Sequence, residues 1–385
     1  MATAAELKPD AGLVVRAERI PELDGIRGVA VLLVLIVHFA IFTATSGIDR
    51  FIPTFVGLGA TGVDLFFVLS GFLITGILIR SKTSPGYFTH FYGRRVVRIF
   101  PLYYAYLVIY FCFVNRTSLP QLHYWLYLSN WKTAFGKDFV PLAHFWSLSI
   151  EEQFYLVWPM IVYLVPAWML PRACVILALS STLVRLPFVV NSPANVLYQL
   201  TIFRLDGLGV GALIAACMAN NRIPAVVESW AGRLAGFFLS FATLLQLTLT
   251  TNAAASILKS ALRSFEIFER ASFPLLISLG FGALLINCIR KDGVASFVMR
   301  FGWLRSFGKY SYGIYVLHFP ITMLFKPRLG VASLVVTEIV GIGLSYCAAL
   351  VSWNLLEKHC LKMKRYFPTS EGGARTKAAS SSSPS

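Results

Sequence analysis

Charge is scarce in this chain. Only 14% of its 385 residues are charged, against about 25% in an ordinary soluble domain. The deficit is sharpest on the acidic side, with 18 Asp and Glu against 34 Lys and Arg. Cysteine is sparse too. The 6 present are scattered and form no CxxC pair, so neither a disulfide framework nor a zinc site is expected, and no metal is assigned. The first twenty residues mix charges and lack an early apolar core, so no cleavable signal peptide is expected. No Gly-x-Ser-x-Gly elbow surrounds Ser147 or Ser149, and neither is read as a nucleophile. No basic patch with interleaved aromatics lies outside the apolar runs, which argues against nucleic acid. The net charge of +16 has a simpler source in the positive-inside rule. Internal repeats are also missing, which weighs against a transporter.

What the chain has instead is apolar length. Mean hydropathy is +0.68, and several runs approach or exceed the ~20 residues that cross a bilayer. The fold class expected is all-α, a polytopic transmembrane helical bundle of about ten spans. The spans are placed near 26–45, 55–79, 99–115, 145–166, 173–190, 205–219, 234–252, 272–289, 310–325 and 331–354. Pro101 suits the start of the third. The basic stretch Arg80 to Arg98 reads as a loop before it, and the aromatic stretch 119–131 as an interfacial segment. An even span count puts both termini on one side, and the Lys/Arg bias makes that side cytoplasmic. Residues 1–22 form a polar lead-in, 23–366 the membrane domain, and 367–385 a disordered cytoplasmic tail. A multi-pass protein of the inner (plasma) membrane is expected, with the bilayer itself as a partner.

The chain is organised around Leu23 to Ala40, an apolar run with charges at its entry and His38 deep inside. Ionisable groups at that depth are functional candidates by default. Arg27 and His38 are eleven residues apart, which is three helical turns plus roughly 20°, so they share a face about 16 Å apart along the axis. A guanidinium at the membrane edge can fork onto phosphates, and a neutral imidazole can take a proton. A packing histidine and an interfacial arginine are the plainer alternatives. Arg95 and Arg98 share a face at i, i+3 and gain from an anion between them. With Arg27 they make a cluster suited to a nucleotide diphosphate moiety. Asp64 sits near the outer end of the second span, where it can meet His38 and fix its tautomer, or simply face water. Of the adjacent Glu151 and Glu152, which point about 100° apart, Glu152 is expected to face the bundle. Arg204 and Asp206 are each expected to pair across to another helix. His318 reads as structural sooner than as a second catalytic histidine.

Several stretches together resemble the acyltransferase family 3 membrane proteins, which include O-antigen, peptidoglycan, Nod-factor and macrolide acylases. They are Leu-Asp-Gly-Ile-Arg-Gly-Val-Ala through His38, Val-Asp-Leu-Phe-Phe-Val-Leu-Ser-Gly-Phe-Leu-Ile-Thr, Arg95-Val-Val-Arg98, Phe-Trp-Ser-Leu-Ser-Ile-Glu-Glu-Gln-Phe-Tyr-Leu, Phe-Arg-Leu-Asp-Gly-Leu and Tyr-Ser-Tyr-Gly-Ile-Tyr-Val-Leu-His. They run in order over about residues 20–360. The resemblance implies transfer of an acyl group, typically acetyl, from cytoplasmic acyl-coenzyme A to a hydroxyl, often on a sugar. By position it makes Arg27 and His38 the Arg-ten-His element, and Arg95 and Arg98 the Arg-x-x-Arg element. The expected roles follow: Arg27, Arg95 and Arg98 bind the acyl-CoA phosphates, His38 is base or covalent carrier, and Asp64 or Glu152 supports His38 or the acceptor. A rival reading uses the same buried groups as the relay of a proton-coupled exporter or lipid-linked sugar transporter.

Overall fold

The computed structural model describes residues 20–41, 52–114, 122–136, 142–220, 223–250, 259–290, 293–325 and 331–368. Nearly all of the tail expected past Phe367 and of the lead-in, and the last residues of the first expected span, lie outside them. The helices are α1 (Pro21–Ile41), α2 (Ile52–Ser81), α3 (Tyr87–Ile109), α4 (Leu122–Trp125), α5 (Ser129–Phe135), α6 (Phe145–Leu164), α7 (Leu170–Arg185), α8 (Ala194–Gln199), α9 (Leu205–Ala219), α10 (Ala225–Thr250), α11 (Lys259–Ile289), α12 (Val294–Met299), α13 (Gly302–Thr322), α14 (Val331–Ser352) and α15 (Lys358–Leu361). No strand occurs among the described residues, so the all-α bundle stands. Among the described residues five helical stretches are long and apolar enough to cross a membrane: Gly59–Ser81, Tyr87–Val114, Leu170–Phe188, Ile267–Ile289 and Val335–Tyr366. Leu205–Ala219 is apolar but shorter.

Burial is inverted relative to a soluble protein. Large apolar side chains face outward, with Leu156 68%, Ile176 68% and Ile339 67% exposed, while Arg185, Arg204, Asp206 and His318 are at most 1% exposed. Water would penalise that outer surface; lipid does not, and inside lipid the charged groups must turn to one another.

Glycine sets how closely the helices approach. A Cβ on Gly308 of α13 would fall 1.7 Å from the Asp24 carbonyl oxygen of α1, and one on Gly28 would fall 2.1 Å from that of Leu304. Gly71 of α2 and Gly211 of α9 meet the Leu208 and Val68 carbonyls in the same way, at 2.1 and 1.9 Å. Small residues of this kind let backbones touch where no hydrophobic drive separates helix from lipid. The first helix is further pinned at its start. Pro21 opens it, Glu22 and Asp24 lie in its first turn, where acidic groups suit the helix dipole, and buried Glu22 accepts from Arg300 Nε at 2.5 Å and from Ser296 Oγ at 3.1 Å.

Several helices begin earlier than the expected spans, α10 at Ala225, α11 at Lys259 and α13 at Gly302, and the expected start of the third span is wrong. Within the stretch Arg80 to Arg98 only residues 82–86 are loop, ending at Gly86, whose φ of 73° is the left-handed region glycine tolerates. From Tyr87 it is helix, and Pro101 lies inside α3 instead of opening it. Aromatic side chains tied to α6 drive the earlier start. Tyr87 and Tyr92 donate from their hydroxyls to the Pro159 and Leu156 carbonyls of α6, at 3.0 and 2.8 Å. Arg94, Arg95 and Arg98 therefore ride on a rigid, packed helix.

Candidate functional site

Helices α1, α2, α3, α6 and α13 enclose a cavity of about 280 Å³. Its basic wall consists of Arg27, Arg94, Arg95, Arg98 and Lys364, and Glu151 is its one carboxylate. Arg27 Nη1 bonds Asp24 Oδ1 at 3.0 Å. Arg95 lies over the rings of Phe91 and Tyr155, 5.7 and 5.3 Å from their centroids, a stacking that aligns a guanidinium without neutralising it. Among the described residues, Arg94, Arg95, Arg98 and Lys364 make no ion pair. Like charges gathered so closely repel, and an anion in the cavity relieves them.

Glu151 accepts from Ser70 Oγ at 2.9 Å and from the Tyr155 hydroxyl at 3.1 Å. Glu152, expected to face the bundle, is half-buried near Arg95 but does not line the cavity. The reason is helical phase: Ser147, Glu151 and Tyr155 recur at four-residue spacing and all face the cavity, and the residue after Glu151 is turned about 100° away.

At the far wall stand Tyr315 and Ser147, whose hydroxyls share a 2.5 Å hydrogen bond. The Tyr315 hydroxyl also reaches the His144 carbonyl at 2.7 Å. Behind Tyr315 three imidazoles meet. The His38 and His318 centroids are 4.9 Å apart, edge to face, and those of His144 and His318 are 5.3 Å apart. His38 is thus close to the cavity but does not line it. His38 Nδ1 is 2.8 Å from the Val34 carbonyl and His318 Nδ1 is 2.7 Å from that of Tyr315. A carbonyl oxygen only accepts, so each neutral ring carries its proton on Nδ1 and presents a lone pair at Nε2. Among the described residues His318 Nε2 and both His144 nitrogens are buried without a hydrogen-bond partner. Among the described residues no group of three or more His, Cys, Asp or Glu is arranged to hold a metal.

Among the described residues no hydrogen bond joins His38 to either expected carboxylate. Asp64 is buried and its Oδ1 accepts from Arg204 Nη2 at 2.8 Å. The Arg204 guanidinium sits in an aromatic cage, 4.6 Å from the Tyr198 centroid and 5.7 and 5.8 Å from those of Phe67 and Trp146. Beside it Arg185 Nη2 donates to Asp206 Oδ2 at 2.6 Å, and Arg185 also bonds the Ala271 and Phe203 carbonyls. A buried charge left alone costs several kcal/mol, so Asp64 takes the guanidinium. The cross-helix pairing expected of Arg204 and Asp206 is this pair of ion pairs, which ties α2 to the turn before α9, and α9 to α7. Sequence reasoning assigned no role to Glu151, His144, Tyr315 or Lys364. The first three lie on helix-spaced stripes with recognised residues; Lys364 has no local signal.

A family model described as an acyltransferase domain matches residues 20–356. YrhL of Bacillus subtilis (strain 168), a protein named for peptidoglycan O-acetyltransferase activity, is 30% identical over 379 residues, which is 88% of this chain and 54% of YrhL. The peptidoglycan O-acetyltransferase OatA of Listeria monocytogenes is 30% identical over 336 residues, 80% of this chain and 50% of its own. OatA of Staphylococcus aureus (strain NCTC 8325 / PS 47), named an O-acetyltransferase, is 32% identical over 160 residues, 37% of this chain and 24% of its own. The chain therefore spans about half the length of the first two relatives. No solved structure matches it.

Proposed function

This chain belongs to the family of that acyltransferase domain, and from that premise we propose that it is a membrane O-acyltransferase that moves an acyl group, acetyl by analogy with its relatives, from acyl-coenzyme A to a hydroxyl of a glycan or other exported acceptor. The observation that carries the donor assignment is the cavity wall: four guanidiniums and an ammonium around one carboxylate, a setting for a multiply charged phosphate donor held by forked, charge-assisted hydrogen bonds. Arg27, Arg95 and Arg98 take the phosphates, and the donor's side of the membrane is the cytoplasm. His38 is the general base. Its Nε2 removes the acceptor's hydroxyl proton as the oxygen attacks the thioester carbon. The carbon–sulfur bond breaks, an ester forms, and the proton passes to the departing thiolate. Tyr315 lines the cavity and packs against His318, the ring partner of His38, and in this reading it gates the passage of the donor's acyl end. Asp64 supports the site from a distance through Arg204, and Glu152 takes no part in binding the donor.

The test is direct. Purified protein in nanodiscs is given radiolabelled acetyl-coenzyme A with and without a de-acetylated glycan acceptor, and free thiol and acetylated product are measured. The expected result is acceptor-dependent thiol release that His38→Ala abolishes while its melting transition persists. Arg95→Ala should raise the donor KM about tenfold, the size expected when one charge-assisted contact is lost, and leave the acceptor KM unchanged. An active, well-folded His38→Ala protein removes His38 from its role. Acceptor movement across the membrane without thiol release would mark an exporter instead.

A further inference from the structure

The basic cavity is completed by chain that the family match does not cover. That match ends at residue 356, whereas Lys364, half-buried in the 3₁₀ turn Lys362–Tyr366, lines the cavity beside Arg94, Arg95 and Arg98. Two contacts hold the turn against α3. Arg94 Nε donates to the Phe367 carbonyl at 2.6 Å. The Phe367 ring rests on Gly93, where a Cβ would fall 2.3 Å from Cε1. Neither contact supplies Lys364 with a counter-charge, and no carboxylate pairs with it among the described residues. A lysine free to choose would run its stem along apolar surface and put its ammonium in water. This one is directed among three guanidiniums, where it is repelled unless an anion is present.

We propose that Lys362–Phe367 is a phosphate-binding strap, in which Lys364 contributes an ammonium to a polyphosphate ligand and Arg94, through Phe367, positions it. The proposal rests on reading the cavity as the donor site and adds to it a binding residue from outside the family domain. The ligand chemistry is a polyanion with adjacent phosphates. Lysine suits it as a rotatable point charge, where the fixed forks of arginine set the geometry.

Equilibrium binding to the full chain in nanodiscs tests this with two probes, coenzyme A and inorganic pyrophosphate. Lys364→Gln should weaken both about tenfold and flatten the dependence of Kd on salt, because one phosphate contact fewer is screened. Lys364→Arg should retain most of the affinity. Gly93→Val keeps the ammonium but takes away the seat of the Phe367 ring, and should weaken binding to a similar degree, with unchanged melting of the bundle as the check on folding. If Lys364→Gln and Gly93→Val bind both probes as tightly as the parent, or more tightly, the strap is refuted, and tighter binding would make it a plug. If the parent binds pyrophosphate but not coenzyme A, and Lys364→Gln loses pyrophosphate, the strap stands and the donor reading falls. A parent that binds neither refutes the strap.

Discussion

At the scale of single residues, helical phase decides between neighbours that composition cannot separate. Glu151 and Glu152 are chemically equivalent in sequence, yet Glu151 accepts from Ser70 and Tyr155 at the cavity wall and Glu152 is absent from that wall. Glu151→Gln should therefore lower acetyl transfer by about tenfold, the effect of losing a hydrogen bond to a charged group, and Glu152→Gln by much less; acceptor-dependent thiol release compares them. Equal losses would mean that the cavity wall does not define the reacting volume. The stripe Ser147, Glu151, Tyr155 was legible in the sequence, but a pair of adjacent acids draws attention away from the four-residue spacing around it. The neighbours of His38 were harder to read. Its edge-to-face partner His318 lies 280 residues further along, and nothing local in either helix announces that they meet 4.9 Å apart. The same blindness sent Asp64 to the wrong partner: depth along a span suggested His38, while the buried guanidinium of Arg204 won the carboxylate.

Among elements, the spacing of glycines does what apolar side chains do in a soluble core. Gly28 and Gly308 bring α1 and α13 into backbone contact, and that contact carries Arg27 to the cavity and His38 to His318. Gly308→Val should lower the melting temperature sharply or prevent folding, since the new Cβ would meet a backbone carbonyl that cannot swing aside. Gly343→Ala is the control: nothing lies within 4 Å of a Cβ there, and the exchange should stabilise α14 by up to about 1 kcal/mol through helix propensity. Asp64→Ala tests a second joint. Leaving Arg204 buried without its partner should cost about 3–5 kcal/mol, read as loss of yield and a lower unfolding transition in detergent. Apolar periodicity placed α9 at Leu205–Ala219, but it set the starts of α10, α11 and α13 too late. It failed at the start of α3, where hydropathy is low but Tyr87 and Tyr92 are hydrogen-bonded to α6, so tertiary packing extends the helix through a basic stretch.

Over the whole molecule, the exposed side chains are those of a body surrounded by hydrocarbon. Cys347 is exposed on α14, within the apolar stretch Val335–Tyr366. In liposomes, a variant with Cys347 as its sole cysteine should react slowly with a membrane-impermeant maleimide and rapidly once dissolved in SDS; fast labelling in intact liposomes would place that face in water. The interior inverts the same logic, and it bears on how the chain is made. Asp64 and Arg204 are 140 residues apart. At the pace of translation, about 5–20 residues per second, the guanidinium is synthesised roughly 7 to 28 s after the carboxyl it will neutralise. During that interval the nascent hairpin must keep the acid protonated or wet. Ribosome-stalled chains cut short of Arg204 should be extracted more readily by alkaline carbonate than chains that include it.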